Sequence, residues 1–512
     1  MSSTEVMVSR ARRIATVARS VRLVPTRPAA SRPGAPLPGA TRPSASRPSA
    51  ALPLSALLAS ALVLTACGGG VHGTPGGSGV RDPYFPKAGN GGYDVTHYGL
   101  RLAYDPGAHH LTGAATLTAR ATKDLSAFNL DLLGMEVEQI TVDGETARWN
   151  RAGQELTVRP REDLDRDETF RVTVRYAGAP ETVTDPDGSR EGWLRTTDGA
   201  LALGEPTGSM AWFPGNHHPS DKAAYDLTVT VPEGLRAVSN GELRSETTAR
   251  GRTTSTWHMA RPMASYLATV AIGRFTVSRS GAGSLPVYTA VDPAEAAASR
   301  PVLGRLPEVL RWAEKRFGPY PFSSTGAIVD SAASVGYALE TQSRPVFPGA
   351  PDITLLVHEI AHQWYGDSVS PESWRDMWLN EGFATYAEWL WEEDHGGDSA
   401  QEMFDALYSG EHFDSEEAGE EIWEFPPADP PSAARISDPP VYWRGAMVLQ
   451  KVRQTVGDDR FFSILRGWAA EYRYGNADTA DFTAFAEEQA PGDDLAGVWE
   501  EWLYGEGKPE QP

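Results

Sequence analysis

The sequence predicts a multidomain α+β protein, a β-rich N-terminal domain followed by an α/β domain. Three observations carry this. The chain has 512 residues, more than one ordinary core accommodates. From about residue 93 apolar and polar residues alternate with period two, the signature of half-buried strands. Beyond about residue 286 the apolar residues recur at helical spacing instead.

Residues 1–66 read as a targeting segment. They carry nine Arg, no Lys and one Glu, and end in the apolar run Ala51–Leu64, too short to read as a transmembrane helix. Leu64-Thr65-Ala66-Cys67 closes the segment in the manner of a signal-peptide cleavage site. It resembles the lipobox of bacterial lipoproteins, which implies a lipid on Cys67 and an extracytoplasmic, membrane-anchored location. Cys67 is the single cysteine of the chain, so no internal disulfide forms. Outside this leader, 37 basic residues face 67 acidic ones. Such a surface repels nucleic acid and excludes it as a partner.

Residues 67–88 are glycine-rich and read as a flexible linker. The β-rich domain spans 89–280. Its strands include HYGLRLAYD before the turn at Asp105-Pro106-Gly107, then LTVRP, FRVTVRYAG and YDLTVTVPEGLRAVSNGEL. The α/β domain spans 281–512. PVLGRLPEVLRWAEKRFG and the segments 354–365, 381–394, 441–456 and 480–489 have helical patterns, and GAIVDSAASVGYALETQ is strand-like.

The chemistry concentrates in HEIAHQWYGDSVSPESWRDMWLNE, residues 358–381. On a helix capped by Asp352 or Thr354, positions i and i+4 lie about 5–6 Å apart on one face. His358 and His362 can therefore chelate one ion. Glu381, separated from His362 by eighteen residues, supplies a third ligand from a second helix. Two His and one Glu leave a fourth position open, the arrangement of a catalytic zinc site holding one Zn2+ per chain. Glu359, one residue round the helix, is placed to act as general base on a water. Glu388 shares a face with Glu381 and is a candidate acceptor for a ligand imidazole N–H.

H-E-x-x-H followed by W-L-N-E-G-F-A resembles the M1 family of zinc aminopeptidases, gluzincins related to aminopeptidase N and leukotriene A4 hydrolase. YDVTHYGLRLAYDP, FPGNHHPSDKAAYDLTVTVP, RFGPYPF and EWLYGEG agree with it, so the resemblance spans roughly residues 90–507. It implies a saddle-like β domain, a thermolysin-like catalytic domain, no large C-terminal helical domain, and peptide substrates. VYWRGAMVL resembles the segment whose tyrosine, here Tyr442, stabilises the tetrahedral intermediate; Arg444 stands for the usual Lys. GYALETQ occupies the place of the exopeptidase motif G-x-M-E-N, with Leu339 for Met and Thr341 for Asn. The resemblance makes Glu340 a ligand of the substrate α-amine, aided by Glu205, and lets Gly336 and Ala338 pair with the substrate backbone. Two other readings share these motifs: an epoxide hydrolase of the leukotriene A4 hydrolase type, and a non-catalytic peptide-binding lipoprotein.

Overall fold

The computed structural model describes residues 72–331 and 335–510; the leader and Cys67 lie outside the described residues. In the N-terminal domain the period-two segments form strands. Lys222–Pro232 alternates half-buried and buried residues along its whole length. It lies between Arg252–Ala264, antiparallel, and Tyr93–Asp105, parallel. These belong to an eight-stranded sheet that continues through His110–Ala121 and Thr169–Gly178 to Glu136–Val142. A five-stranded sheet includes Arg190–Arg195, Ala200–Leu203 and Val270–Gly273, and a four-stranded one includes Leu125–Asp131 and Glu155–Arg159. Their apolar faces share one core with the helices of the second domain.

Two boundaries differ from the sequence reading. Residues 72–88, expected as flexible linker, form with residues 89–91 a strap on the β domain. Thr74–Pro75 pairs with Leu125–Asp131, and Gly77–Ser78 pairs with Asn90–Gly91. Asp82, 4% exposed, accepts from the N–H groups of Tyr84, Phe85 and Trp374. The glycines here serve close approach: Gly89 has φ +71°, and a Cβ there would lie 2.6 Å from the His218 Cβ. The domain seam also moves. Thr276–Ala282 and Leu285–Val291 form a hairpin, and the second strand pairs in parallel with Thr325–Val329, so residues 276–280 belong to the sheet of the second domain.

That domain carries α1 (Ala296–Leu303), α2 (Leu306–Phe317), α3 (Ile353–Ala361), α4 (Trp378–Asp394), α5 (Ala400–Ser409), α6 (Glu416–Glu421), α7 (Gly445–Val456), α8 (Asp458–Glu471), α9 (Thr479–Gln489) and α10 (Leu495–Val498). Among the described residues no helix is long and apolar enough to cross a membrane. Within the strand-like stretch 326–342, residues 326–329 form strand, and at its far end Leu339 makes an isolated bridge to Val346.

Two cations, half-buried Lys222 and buried Arg344, join the domains. Lys222 Nζ donates to the carbonyls of Asp367, Ser368 and Gly475 at 2.9–3.0 Å. Arg344, 1% exposed, donates to the carbonyls of Ser239, Gly241 and Tyr288. Each ties its own domain to main-chain carbonyls of the other.

Candidate active site

α3 starts where Asp352 Oδ1 accepts from the Leu355 N–H at 2.8 Å, an N-cap. The helix ends at Ala361, earlier than the expected 365, as the chain turns toward Gly366. His362 keeps helical dihedrals at the C-cap, and its N–H still reaches the His358 carbonyl at 3.2 Å. The two imidazoles therefore remain one turn apart, with ring centroids 4.7 Å from each other.

α4 brings up Glu381. Its Oε2 lies 3.2 Å from His358 Nε2 and 3.5 Å from His362 Nε2. Ligand atoms held about 2.0–2.1 Å from a tetrahedral ion stand roughly 3.3–3.4 Å apart, so these spacings fit zinc. The outer nitrogens are occupied. His358 Nδ1 lies 2.7 Å from Glu388 Oε1, and His362 Nδ1 3.0 Å from the Tyr365 carbonyl. With both Nδ1–H groups donating outward, the tautomers that suit a metal turn both Nε2 lone pairs toward the point they share with Glu381. Burial raises the Glu381 carboxyl, but the two imidazoles, when protonated, outweigh burial by their charge and hydrogen bonds and hold it down at about 2. A buried carboxylate that stays ionised needs a cation beside it.

Glu359, 3% exposed, has its Oε2 buried and unpartnered. Burial pushes this carboxyl up to about 8, against the pull of the two imidazoles. A base in that range trades protons near neutrality.

Tyr442 lies in a single π-helical turn, Pro440–Arg444, ahead of α7. α7 crosses α4 at Gly445 and Gly382, where a Cβ on Gly382 would come 2.9 Å from the Gly445 carbonyl carbon. This close approach sets the Tyr442 ring parallel to His358, centroids 6.3 Å apart. Burial holds the phenol protonated, well above its usual value. Arg444 is fully buried and donates to carbonyls of Trp502, Gly507 and Glu501, which fixes the turn to the C-terminal segment. The five donors of a guanidinium suit that task.

On the other side of the cleft, carboxylate oxygens of Glu205, Glu340 and Glu381 all lie within 4.8 Å of one another. Glu205 Oε1 and Glu340 Oε1 are buried without a hydrogen-bond partner. Burial raises both carboxyls; at Glu205 the Glu340 and Glu381 charges raise it further. Gly336 is exposed and Ala338 half-buried, in irregular chain rather than in a strand. Counting back from Glu340, the first motif position falls on Tyr337, a residue the sequence reading passed over. Its O–H donates to the Arg190 carbonyl at 3.0 Å, tying the Glu340 segment to the β domain. The motif's own spacing was the signal that could have found it.

A β-sheet domain braced against a helical domain that presents H-E-x-x-H, a distant Glu and a tyrosine defines a zinc-peptidase architecture. Comparison with known proteins agrees. The Peptidase M1 N-terminal domain model matches residues 94–267, and the Peptidase family M1 domain model matches residues 351–502. The crystal structure of an M1 zinc metallopeptidase from Deinococcus radiodurans superposes with a TM-score of 0.77 at 31% identity, covering 85% of this chain and 98% of that one. Aminopeptidase 2 of Candida albicans is 23% identical, over 81% of this chain and 47% of its own length. Glutamyl aminopeptidase of Sus scrofa is 25% identical, over 79% and 46%. The chain spans about half the length of the curated relatives it matches. The chain belongs to peptidase family M1.

Proposed function

We propose that the protein is a zinc aminopeptidase, with one zinc ion per chain, that removes N-terminal residues from peptides. The observation that carries this reading is the pair of bare, buried oxygens on Glu205 and Glu340 beside the His358–His362–Glu381 triad. Acceptors without donors, gathered at one point, suit an ammonium group. A substrate anchored there by its α-amine presents its first peptide bond to the triad. Gly336 and Ala338 leave room beside the corner for the substrate backbone.

Zinc held by His358, His362 and Glu381 would polarise the scissile carbonyl and acidify the attacking water. Glu359 accepts the proton of that water and delivers it to the leaving amine. Tyr442 donates its hydrogen bond to the carbonyl oxygen as that oxygen gains charge. The relatives support the same reading: two are named aminopeptidases, and a mutant of the Deinococcus protein was crystallised with a Tyr-Ser-Ala substrate.

The test compares aminoacyl nitroanilides and short peptides with their N-acetylated forms, and with a lipid epoxide. Hydrolysis confined to free amines is the expected result. Equal cleavage of acetylated peptides, or turnover of the epoxide alone, would remove the amine anchor from the account. The arginine-bearing leader and Leu64-Thr65-Ala66-Cys67 support an extracytoplasmic enzyme tethered by a lipid on Cys67. Palmitate labelling of a bacterial host should tag the wild type and not Cys67→Ser; equal labelling would overturn the tether.

A further inference from the structure

A second set of bare oxygens lies in the β domain, where the strap of residues 72–91 meets the sheet. Asp131 and Glu155 are direct partners on neighbouring antiparallel strands, so their side chains share a face. Asp131 is fully buried and Asn90 is 2% exposed. Asp131 Oδ2 has three donors: the Gly89 N–H at 3.0 Å, Asn90 Nδ2 at 3.2 Å and the His217 N–H at 3.2 Å. Its other oxygen has none. Asp131 Oδ1, both carboxylate oxygens of Glu155 and Asn90 Oδ1 are all buried without a hydrogen-bond partner. Lys87 is the positive charge felt by Glu155, yet it bonds neither oxygen. The Gln154 amide, one residue before Glu155, donates to the Lys87 carbonyl at 2.8 Å and lies close enough to Asp131 to lower its carboxyl somewhat.

Four buried acceptor oxygens without a hydrogen-bond partner, on and beside a carboxyl pair, form an unfavourable arrangement unless a cation completes it. Burial, and then the Glu155 charge, push the Asp131 carboxyl up to about 8, a measure of how poorly the protein alone supports the ionised pair. The donor set contains only carboxylate and amide oxygens. Zinc favours nitrogen and sulfur, and magnesium demands regular octahedra and keeps its waters. Calcium accepts mixed carboxylate and amide oxygens in irregular geometry.

We propose that Asp131, Glu155 and the side-chain carbonyl of Asn90 bind a calcium ion that clamps the strap of residues 72–91 to the β domain. The ion neutralises the carboxylate pair. It also joins the strap, through Asn90, to the two paired strands that carry Asp131 and Glu155. The site is separate from the zinc ligands in sequence and in donor chemistry, and it does not depend on the proposed peptidase activity.

The experiment uses the full chain, zinc-loaded, in resin-treated buffer with zinc buffered at a constant level. Thermal unfolding is followed against added CaCl2 or MgCl2, and terbium luminescence reports binding directly. Saturating calcium should raise Tm by roughly 5–10 °C, magnesium should raise it much less, and calcium should quench the terbium signal. Asp131→Asn and Glu155→Gln should lose both the shift and the signal. Asn90→Asp, which adds a third carboxylate, should bind calcium more tightly; it keeps the test informative should the other variants fold poorly. No calcium-dependent shift in the wild type would overturn the proposal, as would an unchanged response in Asp131→Asn and Glu155→Gln, which would place binding elsewhere on the acidic surface.

Discussion

At the metal end of the site each ligand imidazole is held by its outer nitrogen. His358 is fixed from behind by Glu388, and His362 by the Tyr365 carbonyl. At the substrate end, Glu205 Oε1, Glu340 Oε1 and Glu359 Oε2 have no partner. The two ends differ because they meet different things. Groups that orient an ion must be fixed before it arrives, and outward hydrogen bonds do that. Groups that recognise a substrate cation or take a proton from water must keep their lone pairs free, at a cost to the stability of the empty protein.

The contrast can be broken from either end. The largest effect is expected at Glu359. Glu359→Gln keeps the shape and removes the base, so kcat should fall by about 10³–10⁴ while zinc content, read by atomic emission, stays at the wild-type level. Loss of zinc in this variant would make Glu359 part of the ligand set. Tyr442→Phe removes one donor to the developing oxyanion; kcat should fall by about 10²–10³ with KM little changed. A rise in KM alone would reassign Tyr442 to binding. Glu388→Gln weakens the support of His358, and zinc affinity, measured by competition with a chromogenic chelator, should drop by roughly 10–100-fold while fully loaded enzyme retains most of its kcat. Glu340→Gln, at the bare end, should show the smallest effect on the fold and one of the opposite sign. Removing an unpaired buried charge should leave Tm unchanged or raise it, while kcat/KM for free-amine substrates falls by about 10-fold or more. A loss of stability there would mean that Glu340 already has a partner.

The metal end was legible in the sequence because its geometry is local. Residues four apart on a helix share a face whatever surrounds them, so His358 and His362 could be paired from spacing alone, and Glu388 follows from the periodicity of α4. The substrate end is assembled from Glu205 in the β domain and Glu340 beyond the catalytic sheet, and no period connects them. Only the family resemblance named them. Tyr337 was passed over because Gly336 drew the motif one residue out of register. The strap was misread for a physical reason as well. Glycine lowers the expectation of order when composition is all that is visible, yet Gly89 is needed for its positive φ and its contact with His218. The calcium site proposed here was invisible for the same reason as the amine corner: Asn90, Asp131 and Glu155 meet only once the sheet has formed.

The most direct test of the central claim is a cycle of two changes, Glu340→Gln in the enzyme and N-acetylation in the substrate, read as kcat/KM on alanine nitroanilide. If the bare carboxylate recognises the α-amine, the wild type should discriminate strongly against the acetylated substrate and Glu340→Gln should discriminate at least 10-fold less, since a charge-assisted contact of about 1.5–3 kcal/mol is absent from the variant. Equal discrimination by the two proteins would show that Glu340 does not hold the amine, and would contradict the account.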